Sequence, residues 1–358
     1  MNPQTGSART TAYGVGVVVI GRNEGARLRC CLSSVEERKP GVYIDSGSSD
    51  GSAALARALG WDVVELDPAL PFTAARGRNA GFDYLLGQHN GIRYVQFVDG
   101  DCELVAGWLD GARQALDSRP DVAIVAGQLH ERDAHSSIYR RLCDMEWHAP
   151  AGDVASCGGI FMARAEAFAG VGGFDPSIEA GEEPELCLRL RERGWRIVRL
   201  AQAMAWHDSG MCRFGQWWRR AVRSGRGLAR GTQLHGHGRE RHCVRQVFSA
   251  LFWGHLLPIF TGMFAIALLW VPWVRAPLLL IALAYGVLWT RIYLHRRRLS
   301  DARCHAALYA AFCILSKVPT SLGIASSWWR RHGAWPARPR TSWTTHSAKA
   351  GPEIGPHR

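Results

Sequence analysis

Asp99 and Asp101 are the residues whose type and spacing most readily do chemistry: two carboxylates, separated by one glycine, that close the run Tyr94-Val95-Gln96-Phe97-Val98. Hard oxygen ligands at that spacing can hold one divalent cation and leave room for phosphate oxygens and water. A second acidic pair, Glu182-Glu183, precedes Pro184 and a helical stretch over 185–193. Carboxylates there either complement a helix N-terminus or act as a general base. His207, in Met204-Ala205-Trp206-His207-Asp208, is either a metal ligand or a structural hydrogen-bonding group. Arg76, Arg78 and Asn79 open a helix running through Leu86, where free N–H groups and the helix dipole favour an anion.

These residues need elements to position them. The run over 94–98 predicts a central strand, with Asp99 and Asp101 at the C-terminal edge, where open parallel sheets bind ligands. A buried strand over 13–20 leads into Gly21-Arg22-Asn23-Glu24 and a helix with Leu28, Cys31, Leu32 and Val35 on its apolar face. Val42-Tyr43-Ile44 predicts a second strand, ended by the polar loop Asp45 to Ser52, in which Asp50 reads as a cap for the helix over 53–59. Further strands are expected over 62–66, 122–126 and 195–200, with a helix over 108–116. This rhythm predicts an α/β domain built on an open, mainly parallel sheet flanked by helices. Gly14-Val15-Gly16 is no dinucleotide fingerprint, because its glycines precede the strand and open no helix.

In order, the stretches Val17 to Glu24, Tyr43 to Ser52, Arg76 to Gly81 and Val98 to Asp101 resemble the motif series of the family-2 glycosyltransferases, inverting nucleotide-sugar enzymes of the GT-A fold. The resemblance continues through Cys157-Gly158-Gly159-Ile160-Phe161-Met162-Ala163-Arg164, Gly172-Gly173-Phe174-Asp175 and the segment Gly181 to Leu190. It spans a catalytic domain over 13–210. The resemblance implies that Asn23, Glu24 and Asp45 border the nucleotide base and ribose, and that Arg78 and Asn79 lie near the diphosphate. It implies Asp99 at the sugar or ribose and the metal, Asp101 and His207 at the metal, and Gly158 and Gly159 around the donor. The implied cofactor is Mg²⁺ or Mn²⁺, which stabilises a nucleoside diphosphate leaving group. Glu183 is the implied base for the acceptor hydroxyl, with Glu182 the alternative. Arg22 stands where the family usually has an aromatic, and its guanidinium plane can stack on a base instead.

The 358 residues carry a net charge of +12, which calls for an anionic partner. Arginines crowd the segment 211–246, next to apolar runs over 247–271 and 277–294, the first of them long enough to span a bilayer. A tight turn joins them into a hairpin, and both outer flanks are basic, which puts them and the catalytic domain on the cytoplasmic side. The apolar stretch over 304–325, interrupted by Lys317 and Pro319, is expected to be interfacial or re-entrant. Residues 1–12 are read as a flexible start without a secretion signal, and 327–358 as a basic, disordered tail. The ten cysteines form no C-x-x-C pair and fit free thiols in a reducing compartment.

The expected function is transfer of a sugar from a nucleotide diphosphate sugar to a lipid-linked saccharide or polysaccharide acceptor. The site is the cytoplasmic face of a bacterial inner membrane, with membrane lipids as further partners. The alternatives are a processive polysaccharide synthase and, behind it, an inactive GT-A nucleotide-binding protein. Gln216-Trp217-Trp218-Arg219-Arg220 matches the processive Gln-x-x-Arg-Trp motif only in part. A nucleic-acid partner is not expected, because the dense arginine lies beside apolar spans and not on a folded basic face.

Overall fold

The computed structural model describes residues 14–35 and 40–329; the expected flexible segment 1–12 and all of the expected tail beyond Trp329 lie outside them. Nine strands form one sheet: β1 (Val15–Gly21), β2 (Gly41–Asp45), β3 (Asp62–Glu65), β4 (Tyr94–Asp99), β5 (Cys102–Leu104), β6 (Val122–Glu131), β7 (Gly152–Asp153), β8 (Phe161–Arg164) and β9 (Arg196–His207). Their order is β3-β2-β1-β4-β8-β6-β9-β5, with β7 beside β9. The half made by β3, β2, β1 and β4 is parallel throughout. Beyond it β8 runs antiparallel to both β4 and β6, so the sheet is mixed. β1 and β4 are apolar along nearly their whole length because helices cover both faces.

One face packs on helices Ala74–Gln88, Ala165–Gly170 and Glu182–Glu192. The other packs on Ala26–Ser34, Ser52–Ala58 and Trp108–Asp117. Helix Ala74–Gln88 lies close to the sheet because Gly81 leaves no Cβ where the Val18 methyls sit. That approach brings Arg78, one turn earlier, beneath the C-terminal edge of the strands.

Two strands run further than their apolar cores predict. β6 continues past Ala126 to Glu131 and β9 past Leu200 to His207, because the two pair in parallel to the Glu131–His207 register. After β9, helix Phe214–His235 crosses to three helices long and apolar enough to span a membrane: Val244–Ala267, Arg275–Arg298 and Arg303–Trp329. The first two meet through a short turn at Pro272–Val274. The third extends beyond the interfacial or re-entrant segment expected over 304–325. Pro319 falls in the first turn of its second part, Lys317–Trp329, where a missing N–H costs little.

Candidate active site

The loops at the C-terminal edge of β1, β2 and β4, together with the start of helix Glu182–Glu192, enclose a cavity of about 720 Å³. Glu24, Asp99, Asp101, Glu182, Glu183 and His207 line it, and so do Arg22, Phe72, Arg78, Arg220 and Arg223. The acids predicted for metal and base, with Glu24 and Asp99 from the donor set, thus share one chamber.

Arg78 organises the floor. It is 2% exposed. Its Nη1 donates to Glu182 Oε1 at 2.9 Å and Glu183 Oε1 at 3.2 Å, while Nη2 donates to Asp99 Oδ1 at 2.9 Å. Burial works against its charge, but Asp99, Glu183 and Glu182 hold it protonated, above the ordinary arginine range. Its guanidinium is therefore committed to carboxylates, which replaces the expected role beside the diphosphate. Gly159 lies directly over this cluster: a Cβ there would come 2.5 Å from Arg78 Nη2 and 2.7 Å from Asp99 Oδ2. Only glycine fits.

Glu183 and Glu182 differ in their freedom. The Glu183 side chain is 15% exposed against 8% for Glu182. Burial, then the charge of Glu182, opposed by Arg78, push the Glu183 carboxyl up to about 7. A carboxylate poised near neutrality is the state a general base needs.

Asp101 and His207 face each other, with Nε2 3.3 Å from Asp101 Oδ2. The other ring nitrogen, Nδ1, lies 3.2 Å from Oε2 of Glu131, a buried carboxylate that also accepts from Ser209 N and Oγ. Burial disfavours the imidazolium, yet hydrogen bonds to Asp101 and Glu131 raise His207 to about 9. Burial likewise disfavours the Asp101 carboxylate, but His207 holds it below its usual range. Cys102 stands in the same group, and burial with the neighbouring aspartates pushes its thiol well up. Asp101, His207 and Cys102 bring ligand atoms within 4.8 Å of one another, and Asp99 lines the same cavity; a carboxylate and imidazole set of this kind suits a divalent cation, with Glu131 fixing the imidazole from behind.

Several predicted donor residues sit behind the cavity wall. Asp45 is buried and accepts from Gly47 N, Ser48 N and Tyr43 OH. Asn23 accepts from Ser49 N at 2.8 Å and its own amide donates to Ser48 Oγ, tying the β1 loop to the β2 loop. Both shape the pocket without lining it, since short polar chains at loop starts satisfy nearby backbone amides first. Asn79 turns away altogether: Nδ2 donates to Phe174 O and Oδ1 accepts from Phe174 N, both at 2.9 Å. It clamps the Gly172-Gly173-Phe174-Asp175 turn. Arg76 likewise donates to the Leu70 and Asp67 carbonyls. Gly158 lines a separate cavity of about 210 Å³ with Cys157, Trp147 and Arg199. Gln216 accepts from the Cys212 and Arg213 amides as part of a helix cap, a local role that the partial Gln-x-x-Arg-Trp match does not require.

Sequence reasoning missed Glu131 and Phe72. Phe72 faces the cavity beside Arg22, whose guanidinium carbon lies 5.3 Å from its ring centre. An aromatic thus stands near the position from which Arg22 had displaced one.

Residues 16–161 match the sequence model of glycosyl transferase family 2. No curated protein matches the chain. Among solved structures, the mannosyltransferase PcManGT from Pyrobaculum calidifontis, in complex with GDP-Man and Mn²⁺, aligns with 89% of this chain and 88% of its own. Its TM-score is 0.51 at 15% identity, a likeness of fold. S. aureus TarS 1-349 aligns over 84% of this chain and 91% of its own, with a TM-score of 0.47 and 14% identity. In the longer S. aureus TarS structure the match spans 60% of this chain but only 39% of that one, with a TM-score of 0.43 and 12% identity.

Proposed function

We propose that the chain, whose residues 16–161 match the sequence model of glycosyl transferase family 2, transfers a sugar from a nucleotide diphosphate donor to a lipid-linked saccharide or polysaccharide. It would do so with inversion, at the cytoplasmic face of a membrane held by the three C-terminal helices. One observation carries this reading: Asp99, Asp101, His207, Glu182 and Glu183 line a single cavity at the C-terminal edge of the parallel half-sheet.

In that cavity Asp101, His207 and Asp99 would hold Mg²⁺ or Mn²⁺, which when bound supplies positive charge to the departing diphosphate. Glu183 takes the proton of the acceptor hydroxyl as its oxygen attacks the anomeric carbon. The bond to the nucleoside diphosphate breaks on the opposite face, which inverts the centre. Arg78 keeps Glu182, Glu183 and Asp99 in register, while Phe72, Arg22 and the Asn23–Ser49 loop contact form the nucleotide end.

The test is a transfer assay with detergent-purified protein, labelled nucleotide diphosphate sugars and a bacterial lipid extract. The proposal expects metal-dependent appearance of label in the lipid or polysaccharide fraction, lost in Asp101→Asn. Full transfer by that variant, or label only in water-soluble hydrolysis products, contradicts it.

A further inference from the structure

Helix Phe214–His235 brings two arginines into the wall of the catalytic cavity, Arg220 and Arg223, one turn apart. Arg220 is already engaged, donating to Glu146 Oε2 at 2.7 Å. Arg223 is exposed and makes no hydrogen bond or ion pair among the described residues. The other cavity arginines are occupied: Arg78 by three carboxylates and Arg22 over Phe72.

The same helix touches both the catalytic loop and the membrane region. Gly227 is pressed against the Ala180 carbonyl, two residues before Glu182, and Arg230 donates to Ser177 Oγ at 2.9 Å. On the other side Gly225 is pressed against the Thr320 carbonyl, and Trp217 meets Phe312 edge-on at 5.0 Å. Thr320 and Phe312 both belong to Arg303–Trp329, one of the helices long and apolar enough to cross a membrane. An unpaired guanidinium thus stands in the cavity wall on the same helix that packs against the membrane-length helix Arg303–Trp329. A lipid held by those helices carries its phosphate at its polar end, and guanidinium groups suit phosphate through paired N–H donors.

We propose that Arg223, with Arg220 beside it, binds the phosphate or diphosphate head group of a lipid-linked acceptor and so presents the acceptor sugar to Glu183. This rests on the glycosyl-transfer reading of the cavity. The donor diphosphate has its own attraction, the cation held by Asp101, Asp99 and His207, so the two anions are separable by mutation.

The experiment measures binding by calorimetry to the detergent-purified full chain. The probes are dodecyl phosphate, inorganic phosphate, and a panel of nucleoside diphosphates with Mn²⁺. Dodecyl phosphate should bind more tightly than inorganic phosphate. Arg223→Ala should weaken dodecyl phosphate by about tenfold, the loss of one charge-assisted contact, and Arg223→Lys by less. Neither should alter nucleoside diphosphate affinity. Unchanged dodecyl phosphate binding in Arg223→Ala overturns the proposal. Equal weakening of nucleoside diphosphate assigns the arginine to the donor, and inorganic phosphate binding as tightly as dodecyl phosphate removes the lipid; either result also overturns it. If the wild type takes dodecyl phosphate but no nucleoside diphosphate, the glycosyl-transfer reading fails while the anion site stands.

Discussion

Glu183, the proposed base, owes its raised carboxyl to burial and to Glu182 beside it. Glu183→Gln should lower kcat by roughly 10²–10⁴ while leaving nucleoside diphosphate binding in place, as removal of a proton acceptor does. The raised carboxyl gives a direct pH signature. Below about 7 it is protonated and cannot accept the acceptor proton, so the rate should fall as pH drops through that value. A rate profile that is flat across this range would assign the base elsewhere. Arg78 is a second test. Removing it in Arg78→Leu leaves buried Glu182, and the partly buried Glu183 and Asp99, without their counter-charge, a loss expected to cost about 3 kcal/mol in thermal unfolding. That Asp99, Asp101 and Glu183 lie together was legible in the sequence, because each falls in a short motif of adjacent residues, and all three line one cavity. The task of Arg78 was not, because its carboxylate partners are up to 105 positions away. Asn79 was misassigned for the same reason: the Phe174 backbone that occupies it is 95 positions distant.

Between elements, the pairing of β6 with β9 decides the metal end of the site. Gly127, Gln128 and His130 break the apolar run of β6, so sequence reading ended that strand at Ala126 and overlooked Glu131. The sheet continues because β9, after a register shift at Gly127, supplies partners for Gln128 through Glu131, and the register sets Glu131 against His207. Glu131→Gln should therefore weaken Mn²⁺ by about 10–100-fold in a direct titration, the usual effect of losing a residue that orients a metal-binding histidine. Unchanged affinity would reduce Glu131 to a packing role. The His207 proton, held up to about 9, competes with a cation, so Mn²⁺ affinity should climb as pH rises towards that value. The turn before β8 carries its own constraint. Gly159→Ala forces Arg78 and Asp99 apart and is expected to cost about 1–3 kcal/mol, the range for overpacking a filled site. The parallel half of the sheet was readable from its apolar runs. The antiparallel insertion of β8 between β4 and β6 was not, since strand order follows from long-range contacts that no local pattern records.

At the scale of the whole molecule, an α/β domain is joined through one basic helix to three apolar helices among the described residues, whose large side chains, such as Met263, Ile266, Leu279 and Leu280, face outward. A surface of that kind is stable against lipid and not against water. The protein should remain with membranes through high salt and alkaline washing and be released by detergent; release by salt alone would contradict the anchoring. The hairpin was visible as two long apolar runs. The third helix was underrated because Lys317 and Pro319 interrupt it in sequence, although Pro319 occupies a first-turn position that a helix tolerates. The account depends above all on the carboxylate cavity binding a nucleotide through a metal. Its most direct test is the thermal stability of the detergent-purified protein against a panel of nucleoside diphosphates, with and without Mn²⁺, in wild type and Asp101→Asn. At saturation near a hundred times Kd, one nucleotide should raise Tm by roughly 5 °C, only with Mn²⁺ and only in the wild type. Stabilisation that needs no metal, or that survives in Asp101→Asn, would contradict the assignment of Asp99, Asp101 and His207 as the centre of the site.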